Sequence, residues 1–300
     1  MKRKTGFLLI ACCILAVQIP ELYAQKNPSP EQLIAEHLKS IGDPAALSAV
    51  TSITLTGNAT VNFVIGMTGF QNQRGASTLV SEGAKMSIIM SFPDTNNYAG
   101  EHFAYNGKSV TVGNFTVGER SPIADFLRRY DKIMKNGMLG GVLSNAWPLL
   151  DVKSNRPRNM RVSKTKLAGM ELYSLEYRPR DDHGDMKILM YFDPQTYRHI
   201  LTEYRVQTQG DTTMGFDPNA NDGDMAISRT SSETYYTLME RFDDFRKVGD
   251  LVLPHSYMLD FSVTHHGTGN MGGFAANWGI EALKWELNTP VDQKLFNTER

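Results

Sequence analysis

Cysteine is almost absent from this chain. It occurs twice, at Cys12 and Cys13, both inside the first 24 residues. Lys2, Arg3 and Lys4 form a basic start, Gly6 to Val17 is apolar, and "ELYAQ" offers the small residue Ala24. That pattern predicts a secretory signal peptide over residues 1–24, cleaved after Ala24, and a periplasmic mature protein. "LIAC", Leu9 to Cys12, also fits a lipoprotein box, so anchoring at Cys12 is an alternative. After cleavage no thiol remains. A disulfide framework, a thiolate zinc site and a cysteine nucleophile are then excluded, and the core alone must stabilise the fold.

An excess of charge is missing too. The formal net charge is −1, which leaves no electrostatic footprint for nucleic acid, and no polybasic run faces an anionic membrane. Long apolar runs are equally scarce. "NGMLGGVLSNAWPLL", residues 136–150, carries no charge. As a helix it would span only about 22 Å, short of the roughly 30 Å hydrocarbon core of a bilayer.

Several catalytic signatures are absent or fail in context. No G-x-S-x-G and no H-E-x-x-H occurs. "GTGNMG", Gly267 to Gly272, matches G-x-G-x-x-G, yet a strand-like alternation follows it where a dinucleotide site needs a helix. "DPNANDGD", Asp217 to Asp224, places Asp222 and Ser228 where a calcium loop needs Gly and Glu. Adjacent His265 and His266 on a strand point to opposite faces and do not readily share one ion.

What is present reads as helix, then many strands. Ser29, Pro30 and Gln32 form a capping box ahead of Leu33, His37, Leu38 and Ile41 on one helical face, with Gly42 as the stop. Asp43-Pro44 restarts a short helix through Val50. From Ile53 the period becomes two: Ile53, Leu55, Gly57, Ala59, Val61 and Phe63 alternate with polar residues. "GASTLVS" and "KMSIIMSF" continue as strands. "EHFAYNGKSVTVGNF" reads as a hairpin with a type I′ turn at Asn106-Gly107.

Residues 122–150 interrupt this run as a helical insert, with Ile123, Phe126, Leu127, Tyr130, Ile133 and Met134 as one stripe and Leu139, Val142, Leu143, Ala146 and Trp147 as a second. Strands resume at Asn159, with a turn at Asp193-Pro194. Residues 208–230 read as a long polar loop. Residues 234–246 suit a helix by period, but a long strand by the resemblance described next. No linker splits the chain, so residues 25–300 form one domain.

"EQLIAEHLKSIGDPAAL…ITLTGNA", "QNQRGAST", "AKMSIIMSF", "FAYNGKSVTV", "LYSLEY…MKILMYFDPQTYRHILTEY", "DDFRKVGDLVLPHSY" and "IEALKWELNTPVDQKLF" together resemble the bacterial outer-membrane lipoprotein carrier and receptor (LolA/LolB-like) superfamily, as a longer divergent member. The resemblance implies an α+β fold: a strongly curved antiparallel β-sheet, an incomplete barrel, with helices covering its concave face. It also implies a non-enzymatic carrier for an acyl lipid or lipoprotein, with an outer- or inner-membrane partner protein and no cofactor. Where the carrier has a lid-holding Arg on its third strand, the aligned "KMSIIM" has Lys85 but no Arg.

The expected cavity positions are Leu55, Val61, Phe63, Ile88, Met90 and Phe103 on the sheet, facing Ile133, Leu139, Leu143 and Trp147 on a lid. Ile88 is placed inward rather than Ile89. Two alternatives stay open: an interaction module with a filled core, and a metal-dependent hydrolase using His265, His266 or His183.

Overall fold

A computed structural model describes residues 27–65, 72–93, 98–114, 121–181, 186–210, 232–266 and 273–298. The signal segment, both cysteines, "GTGNMG", "DPNANDGD" and His183 lie outside the described residues, as do the side chains of His265 and His266.

The chain opens with helix α1 (Pro30–Ile41) and helix α2 (Pro44–Ser48), the latter ending two residues before Val50. The capping box forms as expected. Ser29 Oγ accepts from Gln32 N at 3.2 Å, and Ser29 N donates to Gln32 Oε1 at 2.9 Å. Gly42 does stop α1, but not by a left-handed turn: its backbone is extended, with φ 172°. A β-carbon there would lie 2.7 Å from Leu251 Cδ2 and 3.2 Å from the Asp250 carbonyl, so a larger residue would have to push the Leu251 side chain aside.

Twelve strands follow. The first five are β1 (Ser52–Ile65), β2 (Gln73–Glu82), β3 (Lys85–Ser91), β4 (Gly100–Tyr105) and β5 (Val110–Asn114). The remaining seven are β6 (Asn159–Leu167), β7 (Met170–Arg178), β8 (Met186–Phe192), β9 (His199–Gly210), β10 (Ser232–Val248), β11 (Leu251–His266) and β12 (Gly273–Leu287). They make one open antiparallel sheet in the order β5-β4-β3-β2-β1-β12-β11-β10-β9-β8-β7-β6. Residues 232–248 are strand, as the resemblance required and the helical period did not. β9 runs to Gly210, so residues 208–210 of the expected loop are strand; residues 211–231 lie outside the described set.

The Asn106-Gly107 hairpin differs from the expected type I′ turn. Tyr105 pairs with Val110, so four residues connect the strands, and only Gly107 has positive φ (88°). The Asn106 carboxamide accepts from Lys108 N (3.0 Å) and Ser109 N (2.9 Å). This side-chain turn replaces the second left-handed residue.

The alternation read from the sequence holds along β1, where Ile53, Leu55, Ala59, Val61 and Phe63 are buried. The pairing of β1 with β12 slips twice, between Phe63 and Ile65 and, in mid-sheet, between Thr56 and Gly57. Thr56 pairs with Lys284 but Gly57 pairs with Ala282. The extra residue, Leu283, is turned out to solvent at 68% exposure, and inward parity shifts from Ile280 and Ala282 to Trp285 and Leu287.

The segment between β5 and β6 joins the two edges of the sheet. It holds helix α3 (Pro122–Arg129), helix α4 (Lys132–Lys135), a 3-10 turn at Gly141–Leu143 and helix α5 (Val152–Asn155). The expected helical insert over 122–150 is therefore helical only at its start. Gly137, Gly140 and Gly141 all have left-handed φ (64°, 84° and 51°), which breaks any helix through the uncharged stretch.

This segment also reports the shape of the sheet. A β-carbon on Gly140 would collide with Met86 of β3, while the Gly140 amide reaches Glu240 of β10. Those strands are five places apart, about 24 Å in a flat sheet. One residue touches both, so the sheet bends around it.

Gly57 sits where β1 meets β12 in mid-sheet, and a β-carbon there would run into the Glu281 carbonyl. Gly57→Ala is expected to lower stability by about 1–3 kcal/mol in urea titration, through overpacking against backbone that has no room to yield.

Candidate functional site

Residues 121–150 make one face of the candidate site and the inward strand positions make the other. All ten expected cavity residues are buried, none more than 3% exposed, within one hydrophobic cluster. Ile88 is inward and Ile89 only half-buried, matching the expected register. The side chains of the two faces fill the space between them. Phe126 packs on Phe261 with ring centres 5.1 Å apart, and Trp147 stacks on His199 at 5.2 Å. Clefts of about 540, 720 and 210 Å³ also occur among the described residues; Ile133 lines the last of these, and none of the other nine lines any of them.

The segment is not paired into the sheet. Polar contacts hold it, among them Lys132 Nζ donating to Asp181 O at 2.6 Å and Asn136 Nδ2 to Asp181 Oδ1 at 2.9 Å, both at the surface. Ser121, the N-cap of α3, donates from Oγ to Glu101 Oε2 of β4 at 2.8 Å. The other oxygen of Glu101 accepts from Tyr98 OH at 2.8 Å, and that hydroxyl accepts from Trp278 Nε1 at 2.6 Å. Farther along, Gly140 N donates to Glu240 Oε1 at 2.5 Å. Tyr257 OH reaches the same oxygen at 2.6 Å, and Tyr204 OH reaches Glu240 Oε2 at 2.7 Å and Met138 O at 3.0 Å. Last, Asn145 N donates to Ser81 Oγ of β2 at 2.9 Å. Lys85 plays no part in this: its ammonium donates to Gln293 Oε1 at 2.6 Å and lies over the Phe296 ring, so it ties down the C-terminal tail.

Glu101 and Glu240 are both essentially unexposed, at 1% and 0%. Burial pushes each carboxyl up to about 7, and the hydrogen-bond donors around it only partly offset that rise. The geometry at Glu240 suits a protonated acid. Tyr204 has one hydroxyl proton and two acceptors within reach. With Glu240 protonated, the acid donates to Tyr204, and Tyr204 donates to Met138 O. With Glu240 ionised, the Tyr204 proton turns to the carboxylate, and Met138 O loses that partner.

Two buried histidines stand nearby with opposite tendencies. His37 of α1 donates from Nδ1 to Tyr197 O at 2.8 Å, and His199 of β9 donates from Nε2 to Leu201 O at 3.0 Å. A carbonyl can only accept, so the remaining nitrogens, His37 Nε2 and His199 Nδ1, are bare acceptors, and neither finds a partner among the described residues. Burial lowers His37 to about 4 and His199 well below its ordinary value. Both rings pack on Trp147, so they stay neutral and serve as packing surface.

The sequence reading did not single out Glu101, Glu240, Tyr204 or Tyr257. A signal existed. Leu238, Glu240 and Phe242 share one strand face, as do Glu101, Phe103 and Tyr105, so each acid stands alone at an inward position. Among the described residues no group of three His, Cys, Asp or Glu is placed to hold a metal ion. No family model matches the chain, and no curated protein matches it significantly.

The two kinds of buried group oppose each other in pH. A raised carboxyl binds its proton more tightly in the folded state; its stabilisation is complete below 4.5 and is lost as pH rises through about 7. A lowered histidine gives stability present above 6.5 and lost as pH falls through about 4. Glu240→Gln keeps the shape of the protonated acid and removes its titration. Relative to the unmutated protein, this variant should gain stability as pH rises from about 4.5 to about 7, by up to about 1.4 kcal/mol per pH unit. Urea midpoints at several pH values measure the difference; two parallel curves would mean that Glu240 does not titrate in that window.

Proposed function

We propose that this chain is an exported, non-enzymatic carrier for a hydrophobic acyl ligand, and that residues 121–150 are its lid. In this reading the bent sheet is an incomplete barrel, the lid and α1 cover its concave face, and the ligand takes the place of lid side chains inside. The observation that carries it is the way the segment is held. It crosses from one sheet edge to the other, buries an apolar face, and is tied to the strands by a few side-chain bonds, with no strand pairing. Such a unit can leave without unzipping the sheet. The LolA/LolB-like resemblance points to the same use. It extends to a lipoprotein as cargo and a membrane partner for delivery. The ten buried residues from Leu55 to Trp147 would then contact an acyl chain.

Binding would be passive burial. Each methylene taken from water contributes about 0.8 kcal/mol, and lid movement offsets part of that gain.

A second reading has an observation of its own. The ten side chains already pack against one another, which suits an interaction module with a permanently filled core. The two readings separate in one experiment. The chain from residue 25 onward, purified from a bacterial periplasm, is extracted with solvent, then offered a fluorescent fatty-acyl probe. The carrier reading expects a co-purifying acyl lipid, or probe uptake, near one per chain. A lipid-free protein that takes up no probe would leave the filled-core module.

A further inference from the structure

His199 is bonded through only one of its two nitrogens. It stands at the start of β9 and is 1% exposed. Its Nε2 is taken up by Leu201 O at 3.0 Å and Thr202 Oγ1 at 2.8 Å. Its Nδ1 is shielded from solvent and has no partner among the described residues. That edge of the ring faces the crossing segment: a β-carbon on Gly141 would lie 3.2 Å from Nδ1 and 3.3 Å from Cε1. Gly141 itself brings no side chain to it. The other neighbours are apolar. Phe242 and Phe192 pack on the imidazole with ring centres 4.8 Å and 5.3 Å away, and Trp147 stacks on it at 5.2 Å.

A buried acceptor without a donor is rare in native structures, because it gives up its bond to water for nothing. The Leu201 bond accounts for Nε2 and leaves Nδ1 unexplained. Gly141 and Trp147 both belong to the segment that the carrier reading removes, so two covers of the imidazole leave together. Phe192, Phe242 and His37 stay behind. His37 Nε2 is a second bare acceptor, and its ring centre lies 6.1 Å from that of His199. None of these three rings has a donor to spare: the phenylalanines carry none, and His37 uses its N–H on Tyr197 O. The wall left open is apolar and dotted with acceptors.

We infer that the acyl ligand carries a hydroxyl group along its chain, and that His199 Nδ1 accepts a hydrogen bond from it. The ligand class is a hydroxylated fatty-acyl chain, and this inference rests on the carrier reading. A group lying against Nδ1 must bring a proton. An amide or a carboxylic acid would bring a carbonyl too, which finds no donor on these rings. An ammonium would carry its charge in among Phe192 and Phe242, away from water. An unsubstituted chain would leave Nδ1 as bare as the closed segment does. A hydroxyl supplies the proton and adds least beside it.

The test is calorimetry on delipidated chain from residue 25 onward, with tetradecanoate and its mono-hydroxylated positional isomers as probes. One isomer, or two neighbouring ones, is expected to bind about tenfold more tightly than tetradecanoate. The others, whose hydroxyl is buried against apolar side chains, should bind more weakly than it. His199→Gln keeps a donor for Leu201 O and removes Nδ1, so it should abolish the preference and leave tetradecanoate little changed. A second measurement needs no variant. In nitrogen NMR of isotope-labelled histidine, the favoured isomer should move the resonance of a non-protonated ring nitrogen upfield, and tetradecanoate should not. If no hydroxylated isomer binds better than tetradecanoate, if folded His199→Gln keeps the preference, or if the imidazole resonance stays where it was, this assignment fails while the carrier reading stands. If neither tetradecanoate nor any isomer binds, both fail together.

Discussion

The position of the segment that crosses the sheet depends on a carboxyl group placed where water cannot reach it. Glu240 stands on the inward face of β10 and bonds to Tyr204, Tyr257 and the backbone amide of Gly140. Three strands and the crossing segment therefore meet at one side chain. Among the described residues it makes no ion pair, so burial favours its neutral form. Neutral, it completes a relay through Tyr204 to Met138 O; charged, it breaks that relay. Glu101 repeats the arrangement at the other end, where Ser121 both caps α3 and binds the acid. Polar groups in low dielectric are specific because their alternatives are expensive. Here they decide where an otherwise greasy segment sits.

Apolar packing supplies the energy and the polar points supply the position. Freeing the segment would expose Phe126, Leu127, Ile133, Met134, Leu139, Leu143 and Trp147 along with the strand faces beneath them. At about 1.5–3 kcal/mol per large side chain, that is on the order of 10 kcal/mol or more. An empty open state is therefore scarcely populated, and a carrier built this way would open only as something apolar takes the lid's place.

Much of the fold was legible in the sequence, for reasons tied to particular residues. The box at Ser29 and Gln32 is local chemistry and formed as read. Alternation along β1 marked the buried face because a strand has period two. β10 was legible only through the family resemblance, since Tyr235, Leu238, Met239, Phe242 and Phe245 fit a helical period as well as a strand. The insert was legible as apolar but not in form: three left-handed glycines replaced the second helix with turns. Glu101 and Glu240 were written in the sequence as lone acids on inward faces, yet nothing local distinguishes a buried Glu from an exposed one until strand parity is known.

By itself the sequence determined an antiparallel, strand-rich chain with one apolar interruption and, once the predicted signal is removed, no thiol chemistry. Those properties follow from composition and short-range period. Only the tertiary structure decided that the interruption crosses between the sheet's two edges, which acids hold it, and which polar atoms go unpartnered. Each of these joins residues tens or hundreds of positions apart, such as Gly140 with Glu240 and His37 with Tyr197. No local pattern encodes such a meeting; it exists only once the sheet bends.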